Sequence, residues 1–238
     1  MISGKAFADR CKWIFDNRYP GRAIFDYNQS AQGDWVFVNG DFLHAFLRLL
    51  PPAQYATKQY YIIVHNSDKP FGKSELEKLL PYSLRIYAIN TTVKHEKLTT
   101  IPLGFVDRQL DLLPVFDRPN LPRDIDVYAN FTVTTNTQKR MECIQSLPNP
   151  TIRQNLSVKE YYTDLCRSKF VACPEGTGID THRIYESLYF GATPVVLASN
   201  PLAWFYQRLP VCIVNSWSDT FTVPQGKQIS FDITAYLQ

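Results

Sequence analysis

The chain has 238 residues, 45% hydrophobic and 14% aromatic, which is enough to bury a sizeable core and excludes a disordered class. The formal charge of +3 comes from Lys and Arg scattered along the chain, so no basic run is dense enough to expect a nucleic-acid partner. No stretch approaches the roughly 20 apolar residues a bilayer span requires, and Met1 to Pro20 carries Lys5, Asp9, Arg10, Lys12, Asp16 and Arg18 in place of an apolar leader.

These features lead us to expect a cytoplasmic protein. The five cysteines (Cys11, Cys143, Cys166, Cys173 and Cys212) sit mostly in apolar patterns without metal-ligand spacing. They are expected as buried, reduced thiols, with no bound metal. The sequons at Asn28, Asn90, Asn130 and Asn155 would be unused in that compartment.

In chain order, Ala6 to Asn17 has a helical pattern, with Phe7, Cys11, Ile14 and Phe15 on one side. Trp35 to Asn39 reads as a strand and Asp41 to Leu50 as the helix after it, stopped by Pro51-Pro52. Gln59 to His65 is a second buried strand. Ser74 to Leu80 is a helix, with Ser74 and Glu77 at capping-box spacing. Leu84 to Ile89 and Leu98 to Pro102 complete the strands of this half. Leu113 to Asp124 holds three prolines without periodicity and reads as a linker.

After the linker the alternation restarts. Ile125 to Phe131 is a strand, Gln138 to Ser146 a helix, Ile152 to Val158 a strand and Lys159 to Ser168 a helix. Lys169 to Cys173 is the next strand, broken by Pro174-Glu175-Gly176-Thr177-Gly178. A helix opens at Asp180 or Thr181 and closes at Gly191, followed by strand Ala192 to Ala198, helix Asn200 to Leu209 and strand Val211 to Val214. Strands alternating with helices predict an α/β protein with doubly wound parallel sheets in two Rossmann-like domains. The domains are placed at 1–114 and 125–238, joined by residues 115–124.

The glycine loop and the helix after it form a ready-made anion site. Arg183 lies in the first helical turn, and Glu186 follows one turn later on the same face. The cation suits a diphosphate and the carboxylate suits ribose or sugar hydroxyls. The plainer alternative is a surface ion pair between the two. A second candidate is Asn130 to Asn136, containing Thr134 and followed by Arg140, at the carboxyl end of the first strand of the second half. Its plainer alternative is a threonine-rich turn that caps a helix, with Lys139 pointing elsewhere.

Other templates fail. No Walker loop, dinucleotide fingerprint or Gly-x-Ser-x-Gly elbow is present. Asp124-Ile125-Asp126 resembles the metal triplet of GT-A transferases, but it opens a strand where that site would end one.

Phe170 to Val196 resembles the C-terminal signature of exostosin-like glycosyltransferases of the GT-B type, through Cys173, Pro174, Gly176, Gly178, Asp180, Arg183, Glu186, Gly191, Pro194, Val195 and Val196. Ile101-Pro102-Leu103-Gly104 supports the match in the first half. The resemblance implies a GT-B fold, with two Rossmann-like domains facing each other across a cleft. It also implies an inverting, metal-independent glycosyltransferase with no cofactor. Its partners would be a nucleotide-sugar donor, UDP-linked above all (UDP-xylose or UDP-glucuronic acid, for example), and a glycan acceptor.

Donor contacts would come from Thr134, Arg140, Gly176, Gly178, Asp180, Thr181, Arg183 and Glu186. A catalytic base would come from the first half, where Asp68 and Asp41 follow strands, with His65 and His44 nearby. Both aspartates also fit turn or N-cap roles. Cellular exostosins are longer and membrane-anchored, so this chain is expected to be a short bacterial or viral member. A GT-B-shaped binding module without turnover is the rival reading, and an epimerase or phosphorylase a third.

Overall fold

Among the described residues every strand pairing is parallel, and the strands divide into two five-stranded sheets. The structure, a computed structural model, describes residues 1–113 and 121–238. One compact unit comprises Met1–Leu103 and Phe231–Gln238, and the other Gly104–Ser230. The sequence reading placed the division at 115–124. That segment lies largely outside the described residues, the division falls at Leu103/Gly104, and the last eight residues return to the first unit.

The first unit opens with helix α1 (Gly4–Ala8), capped by Ser3, whose hydroxyl accepts the Ala6 N–H at 3.1 Å. The longer helix expected over Ala6 to Asn17 is not formed. Trp13–Phe15 is instead strand β1, in register with Val36–Val38 of β2 (Trp35–Asn39). Three bulky residues gain more from a place in a buried sheet than from a helix they would crowd. Helix α2 (Leu43–Leu47), strand β3 (Tyr60–His65), helix α3 (Lys73–Leu79) and strands β4 (Ser83–Ala88) and β5 (Leu98–Thr100) follow. The cap of α3 is Gly72, whose N–H donates to Glu75 at 3.0 Å, and not the Ser74–Glu77 pair.

The strand order is β1-β2-β3-β4-β5. This corrects the doubly wound expectation for the first unit: a sheet built in one direction has no order reversal. Right-handed crossovers then place α2 and α3 on one face. There Leu43, Phe46, Leu76 and Leu79 pack with Val36, Val38, Ile62, Val64 and Ile86. The other face holds Trp35 stacked on Tyr61, ring centroids 4.7 Å apart, and Phe7 of α1 at 5.4 Å from His65. The returning C-terminal segment also covers it, through a bond from Tyr87 Oη to Leu237 O.

The second unit runs β6 (Ile125–Ala129), α4 (Thr137–Ser146), β7 (Thr151–Ile152), α5 (Val158–Arg167), β8 (Ser168–Ala172), α6 (His182–Tyr189), β9 (Thr193–Leu197), α7 (Ala203–Tyr206) and β10 (Cys212–Val214). Its order, β7-β6-β8-β9-β10, reverses between β6 and β8, as doubly wound sheets do. Val127, Ala129 and Phe131 pack with Cys143 of α4 and with Leu147 just after it. Tyr128 alternates to the opposite face and donates to Asp164 of α5. Ser157 and Glu160 form the capping box of α5. All five cysteines are buried. No helix among the described residues is long and apolar enough to cross a membrane.

Candidate functional site

The reversal between β6 and β8 places the loops after these two strands side by side, where doubly wound sheets hold ligands. The first loop makes a 3-10 turn at Val133–Thr135, and Asn136 then caps α4 by accepting the Lys139 N–H at 3.4 Å. The second loop runs from Cys173 to Thr181 into α6. Asn136 ties the two loops by donating from Nδ2 to Gly176 O at 3.2 Å.

Two guanidinium groups pack on one ring. Arg140 Cζ lies 5.3 Å and Arg183 Cζ 5.4 Å from the centroid of Phe131, a buried residue just past the end of β6. Arg140 is buried, donating from Nε to Glu175 O at 3.0 Å and from Nη1 to Thr132 O at 2.6 Å. Burial, and then the charge of Arg183, bring its pKa down to about 10, so it remains a cation at neutral pH. Arg183 is half-buried, and its Nε and Nη1 are enclosed without a hydrogen-bond partner among the described residues. Enclosed cationic donors lacking acceptors are costly unless something fills the place. No surface ion pair forms between Arg183 and Glu186.

Gly176 makes room for Arg140: a Cβ there would stand 2.6 Å from Nη2. The backbone cradle expected of the glycine loop is partly occupied by the loop itself. The Gly176 N–H donates to Gly178 O at 3.2 Å, and the Thr181 N–H donates to Asp180 Oδ1 at 2.8 Å. Thr181 gives α6 no side-chain cap. Thr134 is exposed and Gly178 buried. Lys139 points back to the loop and pairs with Glu175 at 2.6 Å.

Asp180 is buried, and both its oxygens are engaged: Oδ2 accepts from Tyr185 at 2.5 Å and Oδ1 from Tyr206 at 2.9 Å. It holds the loop to α6 and α7. Glu186 is buried, with Oε2 accepting the Tyr161 hydroxyl of α5 at 2.7 Å. Burial, then the charge of Glu186, raise the Tyr161 pKa well above the ordinary phenol value, so this hydroxyl is a permanent donor. Cys173 beneath the loop is pushed up to about 12 by burial and is not a nucleophile. Asp124 and Asp126 pair with Arg167 and Lys169 at 2.5 and 2.6 Å, so neither is an open metal ligand.

Sequence reading misses Tyr161 and His182, and includes Phe131 only as part of the Asn130 to Asn136 stretch. His182 Nδ1 lies 2.6 Å from Gly104 O, so that nitrogen carries a proton and anchors the start of α6. None of these contacts has a local spacing that could have announced it.

In the first unit, Asp41 and Asp68 are exposed after β2 and β3. Asp41 Oδ1 accepts from Ser67 Oγ at 2.8 Å and lies 3.8 Å from Lys69 Nζ. A cavity of about 250 Å³ beside them is lined by His44, Ser67, Lys69, Phe71 and Glu75 among others. His65 is core, wholly buried with its ring against Phe7.

No family model matches the chain, and no curated protein matches it.

Proposed function

We propose that the chain is a glycosyltransferase that moves a sugar from a nucleotide-sugar donor to a hydroxyl of a glycan, with inversion and without a metal. The observation that carries this reading is the pair of enclosed, unpartnered Arg183 nitrogens beside the Arg140 cation. Two cations at the switch point of a doubly wound sheet suit a diphosphate, which offers each a separate phosphoryl group.

In this reading the acceptor hydroxyl gives its proton to a carboxylate of the first unit, Asp68 or Asp41. The acceptor oxygen bonds to the anomeric carbon as the bond from that carbon to the diphosphate oxygen breaks. The charge left on the departing nucleoside diphosphate is stabilised by Arg183 and Arg140, and removal of one such donor costs about 3–4 kcal/mol of transition-state stabilisation. Glu186 accepts hydroxyls of the ribose or donor sugar. The two units then act as the donor and acceptor lobes of a GT-B enzyme, in keeping with the resemblance to exostosin-like transferases and a short soluble form.

One observation favours the second reading, a glycan- or nucleotide-binding module without turnover. Asp41 Oδ1 already accepts from Ser67 Oγ and lies 3.8 Å from Lys69 Nζ, so that oxygen is occupied by groups of its own unit. Product analysis with UDP-sugars and glycan acceptors separates the two. Transfer that is lost in Arg183→Ala and Glu186→Ala supports the enzyme. Binding without product supports the module, and full activity in both variants rejects the site.

A further inference from the structure

Glu186 stands one helical turn from Arg183, close enough for an i,i+3 ion pair. Such a pair would neutralise the cation on which a diphosphate site depends. The structure shows a different arrangement. Glu186 Oε2 takes the hydroxyl of Tyr161, which arrives from α5, while Arg183 Nε and Nη1 have no partner. A carboxylate that accepts from a neutral donor through one oxygen can still accept through its second, and no ion pair with Arg183 forms.

We propose that Tyr161 is a positioning residue whose hydroxyl holds Glu186 out of an ion pair with Arg183, leaving the guanidinium charge uncompensated for a diphosphate and the second carboxylate oxygen for ligand hydroxyls. The inference rests on the donor-site reading above. Tyr161 suits the task because its ring is fixed independently of its hydroxyl. It lies 5.7 Å from the ring of Tyr162 and 6.5 Å from that of Tyr128. Tyr161→Phe therefore keeps the packing and removes only the tether. Glu186, released, turns to the nearest unpaired cation.

The test titrates inorganic pyrophosphate, which has no hydroxyl for Glu186 to accept, into the wild-type chain, Tyr161→Phe, Glu186→Gln and the double variant. The expected result is pyrophosphate binding about tenfold weaker in Tyr161→Phe. It should recover in the double variant to within about threefold of Glu186→Gln, because the competing charge is gone. A merely structural role for Tyr161 would leave the double variant as weak as Tyr161→Phe, and that outcome, or wild-type affinity in Tyr161→Phe, overturns the proposal. A ligand-free readout keeps the two levels apart. The Arg183 Nε–H resonance should shift in Tyr161→Phe and return in the double variant, and an unmoved resonance overturns the positioning role. If the wild-type chain takes no pyrophosphate, the donor-site reading fails, while the resonance still decides what Tyr161 does.

Discussion

Gly176 and Arg140 share one space: the guanidinium Nη2 lies 2.6 Å from the point a Cβ on Gly176 would occupy, while Arg140 Nε donates to the neighbouring Glu175 carbonyl at 3.0 Å. The backbone of Gly176 is outside the left-handed region, so the glycine serves closeness and not conformation. Gly176→Ala should push the end of a long side chain aside without breaking the sheet. The melting temperature should stay within about 3 °C of wild type. Pyrophosphate affinity should fall about tenfold, a loss of about 1.4 kcal/mol. Calorimetry beside a thermal melt checks both halves of the expectation.

Asp180→Ala should show the opposite pattern. The buried carboxylate holds the hydroxyls of Tyr185 and Tyr206, and its loss leaves two buried donors unmet. The expected destabilisation is about 2–4 kcal/mol, read by denaturant unfolding without any ligand. The sequence reading placed Asp180 among the donor contacts. Burial gives it the role of fixing the loop that carries Gly176 and the entry to α6.

Arg123 ties two helix ends together. It donates to Ser168 O and Leu165 O near the end of α5, and to Phe190 O at 2.9 Å past the end of α6. A cation at helix C-termini gains from the dipoles as well as from the bonds. Gly191, at φ 77°, makes room for it. Arg123→Ala should cost about 2–3 kcal/mol in urea unfolding. Arg123→Lys should recover only part, because an ammonium cannot reach three carbonyls as a planar fork does.

Asp34 predicts an acid limb in the stability of the first unit. Burial raises its pKa, but the Ala31 N–H, the Trp13 indole and Lys12 together outweigh burial and hold it below the ordinary 3.8. A carboxylate depressed in the folded state adds stability that is complete above its unfolded pKa and is lost as pH falls through the folded value. Asp34→Asn should therefore be less stable at neutral pH by about 1–2 kcal/mol, and the difference should shrink below pH of about 4. Unfolding curves at several pH values check the slope. Pyrophosphate binding at neutral pH should be unchanged.

The α/β alternation was legible because buried parallel strands read as apolar runs, and QYYIIVH and TPVVL leave little choice. Strand β1 was not legible, since Trp13-Ile14-Phe15 also fits a helical face and only its pairing with Val36–Val38 decides. Arg140 and Arg183 could be named from local context, each opening a helix after a strand. Their shared contact with Phe131 depends on the reversal of strand order between β6 and β8, a long-range property that no local spacing carries. The same is true of Tyr161 and Glu186, which come from different helices.

The central claim is that Arg183, packed on Phe131 and without an ion-pair partner among the described residues, takes the diphosphate of an activated sugar. Titration of UDP into the wild-type chain and Arg183→Ala tests it most directly. The account predicts saturable binding by wild type and a loss of about 100-fold in the variant, about 2.7 kcal/mol. Equal affinity in the two proteins, or a wild-type chain that takes up no UDP, would contradict it.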